Sequence, residues 1–315
     1  MTKDEAAEAG PTVLASPLRV LWVSPKPDSE AAMIFIERQI ESLLAAGVVG
    51  ETFHLQSRTS LGAMFRELRR MRAEIRKFQP NIVHAQYGSA TAFLCVLASR
   101  RSLVVSFRGS DLNPSQDKSR VRCFASRLLS QFAALAAHRI ICVSEQLVER
   151  LWWGKAKAQV IPSGIDTTTF CPRCRDAARA TLDWDLKERI VLFNGSNRPL
   201  KRPDLARAAV TVASRRCGPV RLMELDGTQP PALIPLMMNA ADCLILTSDQ
   251  EGSPNVVKEA IASGLPVVSR DVGDVRQRLA NVAPSKLTGD TAEELGEAIA
   301  EILTCGMRSN GPLVA

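Results

Sequence analysis

Short apolar runs alternate with helical segments along almost the whole of this chain, and that alternation constrains the fold more than any other feature. Residues 19–24, 51–56, 81–84, 103–107, 139–143 and 159–162 read as strands. The segments between them, such as 33–46, 90–99 and 120–137, carry apolar residues at helical spacing. A second series follows, with strands at 189–193, 220–225, 244–247 and 265–268 and helices at 203–215, 231–239, 254–263 and 291–303. Regular β/α alternation of this kind predicts parallel, doubly wound sheets with helices on both faces, an α/β class. The rhythm breaks at 163–187, where turn residues lead into an amphipathic helix from about Asp176. The expected division is therefore a disordered tail at 1–17, one α/β domain at 18–165 and a second at 166–315.

The stretch 244–278 holds the strongest site signal. A short apolar strand runs into the polar loop at 248–253, then a helix from Pro254 that stops at Gly264. Proline is tolerated in the first helical turn, and Ser253 is the expected N-cap. Glu251 lies just before this helix and Glu259 within it. Both can face one cleft at the carboxyl end of a parallel sheet, where open α/β folds bind ligands. The amides of Gly252, Ser253, Asn255 and Val256 suit an anion or a ring of hydroxyls.

The loop at 194–204, NGSNRPLKRPD, follows the first strand of the second series. A strand entering a Gly-Ser turn, then cations, then a helix is an arrangement that holds phosphates. Gly195 and Ser196 supply backbone, while Arg198, Lys201 and Arg202 supply charge. The spacing is neither that of a Walker A loop nor G-x-G-x-x-G, so the loop reads equally as a solvated turn.

The formal net charge is +7. Up to Lys157 the chain holds 22 Lys and Arg against 14 Asp and Glu, and the remainder holds 18 against 19, so the basic excess belongs to the first half. It is densest at Arg66, Arg69, Arg70, Arg72, Arg76 and Lys77, interleaved with Leu68, Met71, Ile75 and Phe78 at helical spacing. This basic amphipathic helix reads as a solvated face, or as an attachment to anionic lipid headgroups or an anionic acceptor. With one Tyr and no basic stretch interleaved with aromatics, nucleic acid is not an expected partner. Cys171 and Cys174 form the chain's only CxxC, without a second pair or a nearby His, so no metal site is expected. The polar, acidic N-terminus is no signal peptide, and no apolar run is long enough to span a bilayer. A reducing, cytoplasmic setting is expected.

The sequence EGSPNVVKEAIASGLPVVSRDVGDV resembles the nucleotide-sugar signature of the family 4 glycosyltransferases. So do FRGSDL, ICVSEQL, VIPSGIDTTTFCP and VLFNGSNRPLKRPDLA, and the resemblance runs over about residues 19–311. It implies the GT-B fold, two Rossmann-like doubly wound domains facing a central cleft. It implies a retaining transfer of a sugar from a nucleotide-diphosphate donor to an acceptor hydroxyl, with no required cofactor or metal. Carried over position by position, Lys201 would neutralise the donor diphosphate, Glu251 would hold sugar hydroxyls and Glu259 the ribose. MNAADCLILTSDQEGSPNVVKEA and the late RSNG are similar to members that build teichuronic acid or exopolysaccharide, which points to a glycan or lipid-linked acceptor at the inner membrane face.

Departures from the family pattern fall mostly in the catalytic half. Ser196 stands where many members have arginine, and Arg108 where many have a histidine beside the reacting sugar. An arginine binds phosphate or hydroxyls but cannot act as a base at neutral pH. His84 and Asp111 are the remaining polar candidates, His84 reading also as a core histidine at a strand end. The loop after the first strand is SPKPDSEAAM, without the usual Gly-Gly turn, and the interval between Glu224 and Pro235 is compressed. The chain ends four residues after Gly311, so the cleft is expected to close less firmly or to be completed by another chain. Two alternatives stay open: a catalytically weak nucleotide-sugar-binding subunit of a polysaccharide assembly complex, and a GT-B nucleotide-sugar epimerase.

Overall fold

Strands buried on both faces read as near-continuous apolar runs, and the inner strands of this protein's two sheets are largely built that way. The structure, a computed structural model, describes residues 16–26, 33–57, 60–113, 119–195 and 198–314. The first domain comprises β1 (Arg19–Pro25), α1 (Ile34–Ala45), β2 (Val49–Leu55), α2 (Leu61–Phe78), β3 (Ile82–Ala85), α3 (Ser89–Ala98), β4 (Ser102–Phe107), α4 (Arg120–Ala136), β5 (Arg139–Cys142), α5 (Glu145–Glu149) and β6 (Ala158–Val160). The second comprises α6 (Arg175–Leu182), β7 (Arg189–Asn194), α7 (Pro203–Cys217), β8 (Val220–Leu225), α8 (Ile234–Ala240), β9 (Cys243–Leu246), α9 (Asn255–Ala262), β10 (Val267–Arg270), α10 (Val275–Leu279), β11 (Lys286–Thr288) and α11 (Ala292–Cys305).

All pairings are parallel. The strand orders are β2-β1-β3-β4-β5-β6 and β11-β10-β9-β7-β8. The same winding is thus used twice: the chain steps outward once, then returns past its first strand. Each sheet has a switch point, between β1 and β3 and between β7 and β9, and ligands bind outside the carboxyl ends of strands at such points. Leu21, Val23 and Val105 face a core under α2, α3 and α4, while Val20 and Trp22 face α1.

Two sequence expectations change here. β11 has no counterpart among the expected strands, because its three residues, KLT, offer no alternation to recognise. The basic helix α2 forms over the expected residues, but Met64, Leu68, Met71, Ile75 and Phe78 are packed on the domain core. That stripe is therefore structural, and α2 turns outward its arginines together with Leu61 and Phe65 at its N-terminal end.

The segment between β6 and α6 belongs to the second domain's packing, since Ile165 and Phe170 join its core. The last residues brace the site helix from below. The Arg308 guanidinium donates to the carbonyls of Ala241 (2.7 Å) and Ser263 (2.9 Å), and Ser309 N donates to Gly264 O (2.8 Å). That fixes α9 against β9 and β10. Among the described residues, no helix is long and apolar enough to cross a membrane.

Candidate functional site

The carboxyl edges of the two sheets face each other across a cavity of about 360 Å³. Its walls come from the loops after β4, β7 and β9, the start of α9 and residues at the start of α1, including Phe35, Arg108, Lys201, Glu251, Asn255 and Glu259.

On the second-domain wall, two loops are stitched together before either side chain reaches the cleft. Thr247 Oγ1 donates to the carbonyls of Lys201 (2.7 Å) and Arg202 (3.0 Å), and Asp249 N donates to Leu200 O (3.0 Å). A single 3-10 turn at Pro199–Lys201 then aims Lys201 inward. Its Nζ donates to Glu251 Oε1 at 2.7 Å. The expected phosphate cation and the expected sugar carboxylate are thus neighbours in one cleft. Arg270 braces the same loop through the Thr247 carbonyl (3.0 Å) and Asp249 (2.8 Å).

The other members of the phosphate loop separate. Arg198 lines the cleft. Arg202 does not: it adopts a left-handed backbone (φ 55°) and its guanidinium is held by Asp204 (2.8 Å) and Asp249 (3.3 Å). Gly195 commits its amide to Leu225 O (3.1 Å) rather than to the cleft. Ser196 lies outside the described residues.

At α9 the expected cap is corrected. The helix begins at Asn255, and Ser253 Oγ donates to Asp274 (2.8 Å) instead of to a helix amide. The amides of the first turn therefore keep no side-chain cap and open onto the cleft through Asn255 and Val256. Among the described residues, Asn255 Oδ1 and Gln250 Oε1 are buried without a hydrogen-bond partner. Both line the cleft, where an incoming hydroxyl would satisfy them.

Glu259 faces the first domain. Its carboxylate lies 3.6 Å from Arg38 of α1. Burial pushes its pKa above the usual carboxylate range, against the pull of Arg38 and Lys258. Lys258 points the other way and donates to Ser163 O (2.6 Å), with burial lowering its pKa to about 8. Arg38 and Lys258 went unnoticed in the sequence because their partners are far away along the chain.

The first-domain candidates take different places. The Arg108 guanidinium is half-buried and, among the described residues, donates to neutral oxygens: Gln39 Oε1 (2.7 Å), Ser163 Oγ (2.9 Å) and Gln86 through both its backbone and side-chain oxygens. It stacks over Phe35, 4.8 Å from the ring centre, and burial lowers its pKa. It lines the cleft and also a second cavity of about 380 Å³ in the first domain, with Arg38, Gln39 and Ser42. Asp111 is a loop organiser. Its carboxylate accepts from the amides of Gly88 (3.0 Å), Gly109 (2.9 Å) and Arg108 (3.2 Å) and does not line the cleft. His84 is likewise not brought to the cleft: its ring is held by Ser106 (2.8 Å) and Gln86 (3.4 Å) inside the domain. Burial, with Arg108 nearby, lowers its pKa to about 3, so it is neutral at physiological pH.

The two domains touch directly beside these groups. Gly109, at φ 133°, lies against the backbone of Gly252. A methyl group at position 252 would sit 2.6 Å from the Arg108 carbonyl oxygen and 3.0 Å from a Val143 methyl. Gly252→Ala should therefore hold the loops apart and lower kcat/KM by roughly 5- to 150-fold, the kinetic equivalent of about 1–3 kcal/mol of overpacking. The unfolding midpoint should hardly move, since the strain falls between domains. Turnover equal to wild type would show that these loops need not meet during reaction.

Among the described residues, no three metal-ligating side chains converge. Residues 18–169 match the family model Glycosyltransferase Family 4, and residues 195–305 match Glycosyl transferases group 1. The D-inositol 3-phosphate glycosyltransferase of Segniliparus rotundus is 32% identical over 181 residues, covering 48% of this chain and 40% of that protein. The chain thus spans well under two thirds of that relative. Among solved structures, sucrose-phosphate synthase from Thermosynechococcus elongatus aligns over 92% of this chain and 90% of its own, with a TM-score of 0.73 at 18% identity. Anabaena HepE in complex with UDP and glucose aligns over 94% of both chains, with a TM-score of 0.73 at 17% identity. The shared architecture is GT-B: two Rossmann-like α/β domains across a cleft.

Proposed function

We infer the function from one premise: with both halves matched by glycosyltransferase models, this chain belongs to the family 4 glycosyltransferases. The proposed reaction moves a sugar from a nucleotide-diphosphate donor to an acceptor hydroxyl, with retention at the anomeric carbon and without a required metal. The observation that carries it is the Lys201–Glu251 pair beside the open N-terminus of α9. A departing nucleoside diphosphate gains negative charge as the sugar–phosphate bond breaks. Lys201, Arg198 and the α9 amides are positioned to stabilise that charge more in the transition state than in the ground state. Glu251 accepts hydroxyls of the sugar, and Glu259 those of the ribose. The likeness to a structure holding UDP and glucose supports a nucleotide sugar in this cleft.

Arg108 opens on both the donor cleft and the first-domain cavity, which we assign to the acceptor. Held by neutral partners, it can take a phosphate or hydroxyl of either substrate. The acceptor is a glycan or lipid-linked molecule of cell-surface polysaccharide or glycolipid synthesis, met at the cytoplasmic face of an anionic membrane by the basic first domain. An epimerase would need free proton-transfer groups in the cleft, whereas Glu251 is paired with Lys201, Glu259 with Arg38, and His84 does not line it.

The test is release of nucleoside diphosphate from a panel of nucleotide sugars with a lipid-linked acceptor, with the product's anomeric configuration read by NMR and the rate compared with and without chelator. Donors that raise the unfolding temperature but are never turned over would replace the enzyme reading with that of a binding subunit.

A further inference from the structure

Helix α4 is built the wrong way round for a solvated helix. Its core-facing residues are small or polar, Ser130, Gln131, Ala133 and Ala134, whereas its outward stripe is large and apolar. Val121, Phe124, Phe132 and Leu135 recur at helical spacing along one face and are 78%, 62%, 47% and 52% exposed. The stripe is extended at its far end by Trp152 and Trp153, each 42% exposed. The Trp153 ring lies 6.3 Å from Phe132 and 5.9 Å, edge-on, from Trp152. Isolated exposed apolar residues are ordinary, but a contiguous row of this kind marks an interaction surface.

Its charge decides among occupants. α4 carries Arg120, Arg122 and Arg127 and no acidic residue, and Arg127 stacks over Trp152 at 5.1 Å. α3 packs between α4 and α2, so the arginines of α2 belong to the same helical layer. A second copy docked by two-fold symmetry would set these arginines against their own counterparts. An anionic bilayer meets both halves of the surface instead. Aromatic and aliphatic side chains enter the headgroup boundary, tryptophans settle at the interface, and arginines pair with lipid phosphates.

We propose that the outward stripe of α4 with Trp152 and Trp153 is the surface by which this protein docks on an anionic lipid membrane. It rests only on the membrane part of the function proposed above, and it moves the contact from α2, where the sequence pattern placed it, to α4. The docked helix begins just beyond the loop that carries Arg108 and Gly109.

The test is sedimentation of the full chain with phosphatidylcholine vesicles, with and without phosphatidylglycerol, at low and high salt. Wild type should pellet with the anionic vesicles and be released by salt. The Phe124→Ser/Phe132→Ser variant should bind at least about tenfold more weakly, since each aromatic forfeits its buried apolar area. Arg120→Ala should weaken binding roughly five-fold, the equivalent of one basic contact. Because these side chains are exposed, unfolding midpoints should match wild type. Wild type that stays in the supernatant, or a Phe variant that pellets undiminished, would overturn the proposal. So would a wild-type dimer in sedimentation velocity that the Phe variant dissolves, since the occupant would then be a second copy. Nucleotide release with a water-soluble acceptor is measured in parallel: its failure alone would remove the enzyme reading and leave the docking surface standing.

Discussion

Lys201→Ala should lower kcat/KM for the nucleotide-sugar donor by roughly one to two orders of magnitude, the kinetic counterpart of the ~1.5–3 kcal/mol of a lost charge-assisted hydrogen bond. Two losses combine. The diphosphate loses a charge-assisted partner, and Glu251, bonded to Lys201 at 2.7 Å, is left as an uncompensated carboxylate facing a polyanion. Arg202 cannot take over, because Asp204 and Asp249 hold its guanidinium away from the cleft. Arg198 is the next cation along the loop that lines the cavity. Steady-state nucleotide release by Lys201→Ala, Arg198→Ala and the double variant separates their shares. Undiminished turnover in Lys201→Ala with collapse in Arg198→Ala would transfer the diphosphate anchor to Arg198. The unfolding midpoint should fall little, since Lys201 sits on a loop that Thr247 and Asp249 pin through backbone atoms.

How far the sequence reached can be argued from single residues. The sheets were legible because both-face burial demands near-continuous apolar runs, and glycine and proline punctuate them. β11 was not, its pairing with β10 being supplied by its neighbour and not by its own pattern. Glu251 and Lys201 were legible because each follows a strand directly, and parallel topology brings such loops to one edge. The three loop cations looked equivalent until a left-handed residue at 202 turned one of them aside. Ser253 before Pro254 has the local signature of a cap, but Asp274, 21 residues on, claims its hydroxyl. Arg38 could not have been found, because meeting Glu259 depends on how two domains face each other. α4 shows the opposite failure. Its apolar residues at helical spacing predicted a helix, but they do not say which face packs inward, and the small residues on the other face are the ones that do.

Glu259→Ala should raise the donor KM by roughly two orders of magnitude or more, from the loss of two charge-assisted hydrogen bonds of about 1.5–3 kcal/mol each. Because the ribose belongs to both donor and product, Glu259→Ala should weaken nucleoside diphosphate itself, whereas Glu251→Ala should weaken the nucleotide sugar and spare the diphosphate. Acidity provides the sharper test. Burial raises the Glu259 pKa, and Arg38 and Lys258 oppose that rise. The ionised carboxylate is the form that accepts ribose hydroxyls, so nucleotide affinity is complete above the raised pKa and falls as pH drops through it. The fall should begin above the ordinary carboxylate range. Arg38→Gln removes a favourable charge 3.6 Å away, so in that variant the fall should begin at still higher pH. Folding has the opposite sign. A carboxyl whose pKa is raised in the native state stabilises the fold at low pH and loses that contribution as pH rises through the folded value. Calorimetric affinities for nucleoside diphosphate, measured against pH beside the ligand-free unfolding free energy, should therefore show the Glu259 contribution running in contrary directions. An Arg38→Gln affinity profile that coincides with wild type, or moves to lower pH, would show that the cross-cleft pair does not govern this carboxylate.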